Sequence, residues 1–573
     1  MVVATCIGLL AGVANIIFRE AVELVHRLIF VQGQEWLGIQ QGGWRRWLLP
    51  LLPISGMVLL IPLSLRFPGE VNGYGFPRFL RQVNLEGGFI RLRTIFLKIV
   101  SCSLTIGTGG SAGVEGPIAQ VGGGLGSALG RFFRVSGLHM KVYIAAGCAG
   151  GVAAMFNAPI AGVFFAAEIV LLGTYGISSF SALVVSSAIA TVVSRAHYGA
   201  MPAFPLPPYN LVNPLVEIPL YSLMGVVMGV LAVFYIKVFY GLRDRFAALP
   251  LHPLLKPILG ALLVGSIAVY FPQVMGDGYW YIEEVLAGKG VLLTMLLLIF
   301  LKIFATSITL GSGGAGGVFA PSLFIGGMTG GVFGQAAHHL LPGMTATSGA
   351  YAAVGIGAFL AAATHAPLTA IFLLFEMTGN YRIIIPIMLA SMIGTVVASR
   401  LNRDAIDTVD FTREGIDISE GRETAVMKSI KVGAVMSEEV DFISEKANAD
   451  HLLKIFSLAR EGFYFPVVDE SGRMTGIVSL QDVKNILHDR ELRLSARVGD
   501  ICARKVVVLT PDDTLHKAMD IFDSLGVEEL PVVEDLADRW VIGMLKRRDA
   551  LDAYNRETVR RGLKEQPPAV VAA

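Results

Sequence analysis

The chain has 573 residues, 54% of them hydrophobic and 16% charged, with 65 glycines and a mean hydropathy of +0.63. Soluble domains carry about 25% charged residues, and the deficit here is local: 35 of the charged side chains lie before position 401 and 56 from there on. The first part has net charge +9 and the tail −8, and an acidic tail without a basic cluster excludes nucleic acid as the expected partner.

A membrane-crossing helix needs about 20 mostly apolar residues. In chain order the clearest candidates are WLLPLLPISGMVLLIPLSL (Trp47 to Leu65), IPLYSLMGVVMGVLAVFYIKVFY with the single charge Lys237, and GVLLTMLLLIFLKIFATSITL with only Lys302. Other apolar runs are short or broken by glycine and proline, which is tolerated at membrane depth where they are buried in protein or line a polar cavity. That pattern predicts a transporter or channel rather than an anchor. The first residues lack a basic region and an A-x-A site, so no signal peptide is expected. Cys6, Cys102, Cys148 and Cys502 form no C-x-x-C and no disulfide framework.

The apolar part repeats itself. GTGGSAGVEGPIAQVGGGLGSALG (107–130) aligns without a gap to GSGGAGGVFAPSLFIGGMTGGVFG (311–334), with eight glycines, Val114/Val318 and Pro117/Pro321 identical. A stripe of small residues such as Gly122, Gly126 and Gly130 also arises from helix packing alone. A second match in the same order, NAPIAGVFFAAE (157–168) with HAPLTAIFLLFE (365–376), argues for duplication. Duplicated halves with interrupted segments in corresponding places point to a site at the repeat interface.

In each glycine-rich copy a proline follows the turn, as suits a first helical turn. The free amides of Val114, Glu115 and Gly116, and of Val318 and Phe319, are then directed at a common place, where positive helix ends favour an anion. Glu115 brings the one full negative charge of that stretch and competes with a dissolved anion for the same amides. Burial favours its neutral form and the amide dipoles its charged form, so displacement by an anion or protonation releases it. A helix cap is the bland reading; an ionisable side chain at membrane depth favours a gate.

The tail repeats as well. VGAVMS…FPVVDESGRMTGIVSLQD recurs as VGDICA…LPVVEDLADRWVIGMLKRRD, 65 to 67 residues on. Each copy has a helical stretch, two short β-rich runs and a closing helix, a small α/β module used twice.

GVEGP, GGVFAP, NAPIAG and the paired tail modules together resemble the CLC family of chloride channels and proton/chloride exchangers with two CBS (cystathionine-β-synthase) domains. The resemblance implies a multi-span all-α membrane protein with an inverted internal repeat and broken helices, plus a cytoplasmic α/β tandem CBS domain. It implies a homodimer in the lipid bilayer, in a bacterial inner membrane, with chloride as bound ion and no required cofactor. Glu115 is then the gating glutamate, Val318 and Phe319 give amides to the anion, and GYGFP (Gly73 to Pro77) takes the place of Gly-Ser-Gly-Ile-Pro, which adds Tyr74 and Gly75 to the anion site.

Three positions depart from the family pattern. Tyr74 replaces the usual serine, Ile406 stands at the pore-tyrosine position, and Ile169 follows Glu168 where exchangers carry an inner proton glutamate. Ile169 tilts the expectation toward channel-like conduction, with proton-coupled exchange as the alternative. Glu168 is either a buried structural carboxylate or part of a proton route. In the tail, the ribose-binding S/T-x-x-D element reads Ser479 to Asp482 in the first copy and Lys546 to Asp549 in the second, so the pair either binds an adenine nucleotide (ATP, ADP or AMP) or is purely structural.

Expected boundaries are 1–402 for the membrane domain, 403–425 for a linker, 426–488 and 489–558 for the CBS modules, and 559–573 for a terminal tail. Two other classes were weighed. A CBS-regulated divalent-cation transporter would cluster carboxylates at midplane depth, whereas helix N-termini repel cations. An intramembrane enzyme would use Glu115 or His365 as base, but no nucleophile pattern lies beside either.

Overall fold

The apolar runs fold as helices. In this computed structural model the described residues are 1–135, 137–173, 177–200, 211–416, 418, 422–458, 464–484 and 496–560. Among them six helices are long and apolar enough to cross a membrane: Val2–Trp36, Gly43–Arg66, Ser179–Tyr198, Pro214–Ala248, Leu292–Ser312 and Tyr381–Leu401. Shorter apolar helices, Pro159–Val170, Leu255–Ala268, Ser348–Thr364 and Pro367–Thr378, are the interrupted segments. The chain divides into two units, Met1–Arg413 and Glu414–Ala573.

Within the first unit the elements repeat one for one. Leu92–Gly107, Glu115–Phe132, Gly137–Phe156 and Pro159–Phe165 correspond to Leu292–Ser312, Phe319–Leu340, Ser348–Thr364 and Pro367–Thr378. The centre of each half is a helix crossing that only glycine permits. A Cβ on Gly122 would lie 2.1 Å from the Gly147 carbonyl oxygen, and one on Gly147 2.0 Å from that of Gly122. In the second half a Cβ on Gly330 would lie 2.3 Å from the Tyr351 carbonyl oxygen. Where lipid gives no hydrophobic drive between helices, such close backbone packing supplies the attraction.

The halves meet through reciprocal bonds. Gly113 and Gly317, repeat mates, pair antiparallel and exchange both backbone hydrogen bonds at 2.8 Å. Flanking them, the Ser111 amide donates to Thr309 Oγ1 (3.2 Å) and the Ala315 amide to Thr105 Oγ1 (3.0 Å), again mates. These pairs define a local two-fold. The NAP and HAP segments follow it: Asn157 (φ 58°) and His365 (φ 53°) are both left-handed, a conformation in which Asn and His are enriched. His365, weighed above as a base, thus serves the backbone turn that ends Ser348–Thr364.

The stretch expected as a linker from 403 begins inside the first unit. Ala405, Ile406, Asp407 and Phe411 are buried, and the Ile406 amide donates to the Ala363 carbonyl at 2.9 Å. Its polar composition hid this, because the charges pair: Arg243 grips Asp410 with two bonds of 2.9 and 2.7 Å, and Arg413 holds Asp244.

In the second unit Tyr464–Val468 pairs parallel with Ile443–Ser444 and antiparallel with Met474–Ser479, while Glu529–Val533 pairs antiparallel with Val541–Lys546. Helices Ala449–Leu458, Leu515–Leu525 and Arg547–Arg560 complete two α/β modules. The modules exchange their opening segments. Val432 packs with Leu509, Leu515, Phe522 and Leu545 of the second module, and Val498 with Leu452, Phe465 and Val478 of the first. The Val432 amide reaches the Asp513 carbonyl and the Val498 amide the Ala447 carbonyl (2.8 and 2.9 Å). A boundary near 488/489 therefore separates residues by sequence copy rather than by core. Both openings begin Val-Gly, so sequence similarity alone does not assign each to its core. Residues 485–495, which hold the expected 488/489 boundary, and 561–573 lie outside the described residues.

Candidate functional site

Glu115 opens the Glu115–Phe132 helix, is 0% exposed and has no cation partner among the described residues. One carboxylate oxygen accepts from the Ala320 amide (3.2 Å) at the start of Phe319–Leu340, the other repeat's helix; the second accepts from the Tyr279 hydroxyl. The carboxylate thus occupies the place where a helix N-terminus offers an amide to an anion. Gly113 makes room for it: a Cβ there would lie 2.2 Å from Glu115 Oε2 and 2.9 Å from the Ala320 nitrogen. Val114, Val318 and Phe319 are buried in the same turns, and Gly116 lies against Gly317 and Phe76. The amide that Glu115 takes is thus Ala320, one residue beyond the pair named from sequence.

Tyr279 and Ala320 are new to the site. A signal for Tyr279 exists: Gly276-Asp277-Gly278-Tyr279-Trp280 stands 203 positions after GYGFP and repeats its glycine spacing. Lys302 fixes that turn, its ammonium donating to the carbonyls of Val274 (3.1 Å) and Gly276 (2.8 Å). A cavity of about 440 Å³ lies beside the turn, lined by Val114, Tyr279, Asp277, Arg19 and Phe18, so that Tyr279, the donor to Glu115, stands at its wall.

Tyr74 and Gly75 precede the Phe76–Asn84 helix. The Tyr74 hydroxyl donates to the Asp407 carboxylate, so this phenol is engaged by a carboxylate that sequence reading did not single out. Gly75 lies against the buried ammonium of Lys98: a Cβ there would be 2.8 Å from Nζ. Ile406, next to Asp407, is fully buried, and its carbonyl accepts from the Tyr240 hydroxyl at 2.8 Å. A tyrosine hydroxyl thus reaches the Ile406 backbone from another helix.

Glu168 and Glu376 answer each other across the repeat. Glu168 accepts from the Leu368 and Thr369 amides and the Thr369 hydroxyl (3.1, 2.7 and 2.7 Å). Glu376 accepts from the Ile160 and Ala161 amides (3.0 and 2.8 Å). Each caps the start of the opposite repeat's short helix, where four amides lack intrahelical partners. Of the two roles left open for Glu168, this geometry favours the structural one, while Ile169 beside it is buried and apolar. Hydrogen bonds to charged groups are worth about 1.5–3 kcal/mol each. Glu376→Ala and Glu168→Ala are each expected to lower stability by about 2–4 kcal/mol, read as the thermal unfolding midpoint in detergent. Equal midpoints for wild type and both variants would contradict the capping role.

The sequence profile described as voltage gated chloride channel matches residues 55–399. The chain belongs to this family. Two CBS domain matches follow, at 432–489 and 498–556. The H(+)/Cl(-) exchange transporter ClcA of Vibrio campbellii is 32% identical over 411 aligned positions, 70% of this chain and 87% of that protein. Chloride channel protein CLC-f of Arabidopsis thaliana is 27% identical over 649 aligned positions, 99% of this chain and 80% of that one. Among solved structures, a slow cyanobacterial Cl-/H+ antiporter superposes with a TM-score of 0.66 at 27% identity, covering 72% of this chain and 97% of its own.

In the tail of this CLC chain, Ser479 and Asp482 face each other. The Ser479 hydroxyl and amide both donate to Asp482 Oδ2 (2.7 and 2.8 Å), which caps the following helix. Lys546 ends the strand Val541–Lys546 and Asp549 lies in the first turn of Arg547–Arg560. Arg547 is held by Asp523 at 2.6 Å.

Proposed function

We propose that this protein carries chloride across a membrane through a pathway gated by Glu115, in exchange for protons. The single observation that carries the reading is the seat of the Glu115 carboxylate on the Ala320 amide, a helix-end site into which a halide fits when the side chain leaves. Relatives named as proton/chloride exchangers, and a structural neighbour that is a Cl-/H+ antiporter, support the coupled form. Val114, Gly116, Val318, Phe319 and the turn at Tyr74 and Gly75 line the anion's route in this reading. Two copies of the chain form the assembly, each with its own pathway, in a bacterial inner membrane with the tail in the cytoplasm. An adenine nucleotide in the tail, contacted by Ser479, Asp482, Lys546 and Asp549, regulates transport.

A channel is the second reading, favoured by Ile169 at the proton-relay position. Purified protein in chloride-loaded liposomes separates the two. With voltage clamped at zero and only a chloride gradient imposed, exchange drives protons uphill, whereas a channel moves chloride without them. Absence of chloride flux, with and without ATP, ADP or AMP, would overturn the anion reading in favour of a cation substrate.

A further inference from the structure

The geometry points to Asp407 as a second proton-binding carboxylate of the pathway, held by the Tyr74 hydroxyl and acting in place of the glutamate that Ile169 replaces; this rests on the exchange reading above. Asp407 is 5% exposed, and its one hydrogen bond among the described residues is from Tyr74. A buried carboxylate with no cation partner among the described residues is costly to keep charged, which marks it as a candidate functional group.

The neighbouring charges are committed elsewhere. From the Pro214–Ala248 helix, Arg243 is bound to Asp410; Arg413 from Val409–Arg413 is bound to Asp244. Asp404 accepts from the Thr412 hydroxyl at 2.5 Å. His365 lies at the end of Ser348–Thr364, the helix whose Ala363 carbonyl anchors Ile406, and its Nε2 has no partner among the described residues. Two hydroxyls complete the surroundings. That of Tyr240 is spent on the Ile406 carbonyl, whereas the fully buried hydroxyl of Tyr235 has no hydrogen-bond partner among the described residues. Tyr235 and Tyr74 pack on the same ring, Phe239 (6.2 and 5.7 Å between centroids). An orphaned buried donor near the Tyr74–Asp407 pair is suited to a water or an ion passing it.

Between Asp407 and Glu115 runs a row of aromatic rings, with the buried Lys98 ammonium beside it against Gly75. Tyr74 stacks on Phe76 (6.5 Å), Phe76 meets Phe165 (6.0 Å), and Phe165 meets Phe319 (5.9 Å), the residue before Ala320. Phenylalanine rings hold no proton, so the two carboxylates are the protonatable ends of this collar. When Asp407 takes a proton from water onto a carboxylate oxygen, its charge is lost and its bond with Tyr74 weakens. Both side chains are then free to admit an anion, and release of the proton restores the pair.

The test uses the full chain in liposomes, recording chloride and pH together under a chloride gradient. Asp407→Asn is expected to keep chloride flux while proton movement falls at least about tenfold; Asp407→Glu should restore part of it, and Tyr74→Phe should lower the proton-to-chloride ratio. Wild-type coupling in Asp407→Asn overturns the proposal. So does loss of both fluxes in Asp407→Asn and Asp407→Glu alike when both variants remain monodisperse in detergent, since that marks a structural residue. Wild-type protein that moves chloride without protons overturns the exchange reading and this inference with it, whereas coupled wild type with an indifferent Asp407 overturns the inference alone.

Discussion

Glu115→Gln is expected to abolish proton movement and to leave a chloride flux whose pH response is much flatter than that of wild type. The carboxylate is held by two donors, the Ala320 amide and the Tyr279 hydroxyl. Bonds of this kind owe about half their strength to the charge, and glutamine keeps the shape without it. Its amide oxygen can still accept, but the proton that would free a carboxylate has nothing to titrate. Tyr279→Phe probes the same seat from the other side. It removes one charge-assisted bond, about 1.5–3 kcal/mol, and so should favour the displaced side chain by at least about tenfold. Chloride flux at neutral pH then rises while its pH dependence persists, because Glu115 remains ionisable. A flat pH profile in Tyr279→Phe, or an unchanged one in Glu115→Gln, would remove Glu115 from the gate.

The second large effect is on folding. Gly122→Val places a Cβ 2.1 Å from the Gly147 carbonyl oxygen, a backbone atom that cannot rotate away. Helices Glu115–Phe132 and Gly137–Phe156 would have to separate along their whole crossing, and the Glu115 end of the first helix moves with it. We expect a loss above about 4 kcal/mol, seen as absence of monodisperse protein on size-exclusion chromatography. Gly241→Ala is the control: it lies in Pro214–Ala248 with nothing within 4 Å of the added Cβ. Alanine is the better helix former by about 1 kcal/mol, so that variant should fold at least as well as wild type. Normal yield of Gly122→Val would mean that the crossing is looser than the structure has it.

Much of this architecture was readable from residues alone, and the reasons differ by level. Duplication is local information: the two glycine-rich copies and the NAP and HAP segments align by eye, and their prolines and glycines mark helix starts. Glu115 stands out because it is charged where its neighbours are not. Partners were less legible. Glu115 and Tyr279 are 164 positions apart, and Tyr74 and Asp407 are 333 apart; no periodicity encodes such pairs. Asp407 was further disguised by company, since it sits in a polar stretch whose charges Asp410 and Arg413 pair with Arg243 and Asp244 of a distant helix. In the tail the copies align in sequence, but which core each opening segment enters depends on tertiary packing that local sequence does not encode.

One asymmetry in the reciprocal frame has a larger consequence. Glu168 and Glu376 each find a mate doing the same work across the two-fold, and so do Gly113 and Gly317. Glu115 does not: its mate is Phe319. An evenly duplicated scaffold would treat an ion arriving from either face alike. In the reading proposed above, a lone carboxylate on one arm of that scaffold breaks the parity and contributes a sense of direction, which exchanging Glu115 with Phe319 would test by reversing it.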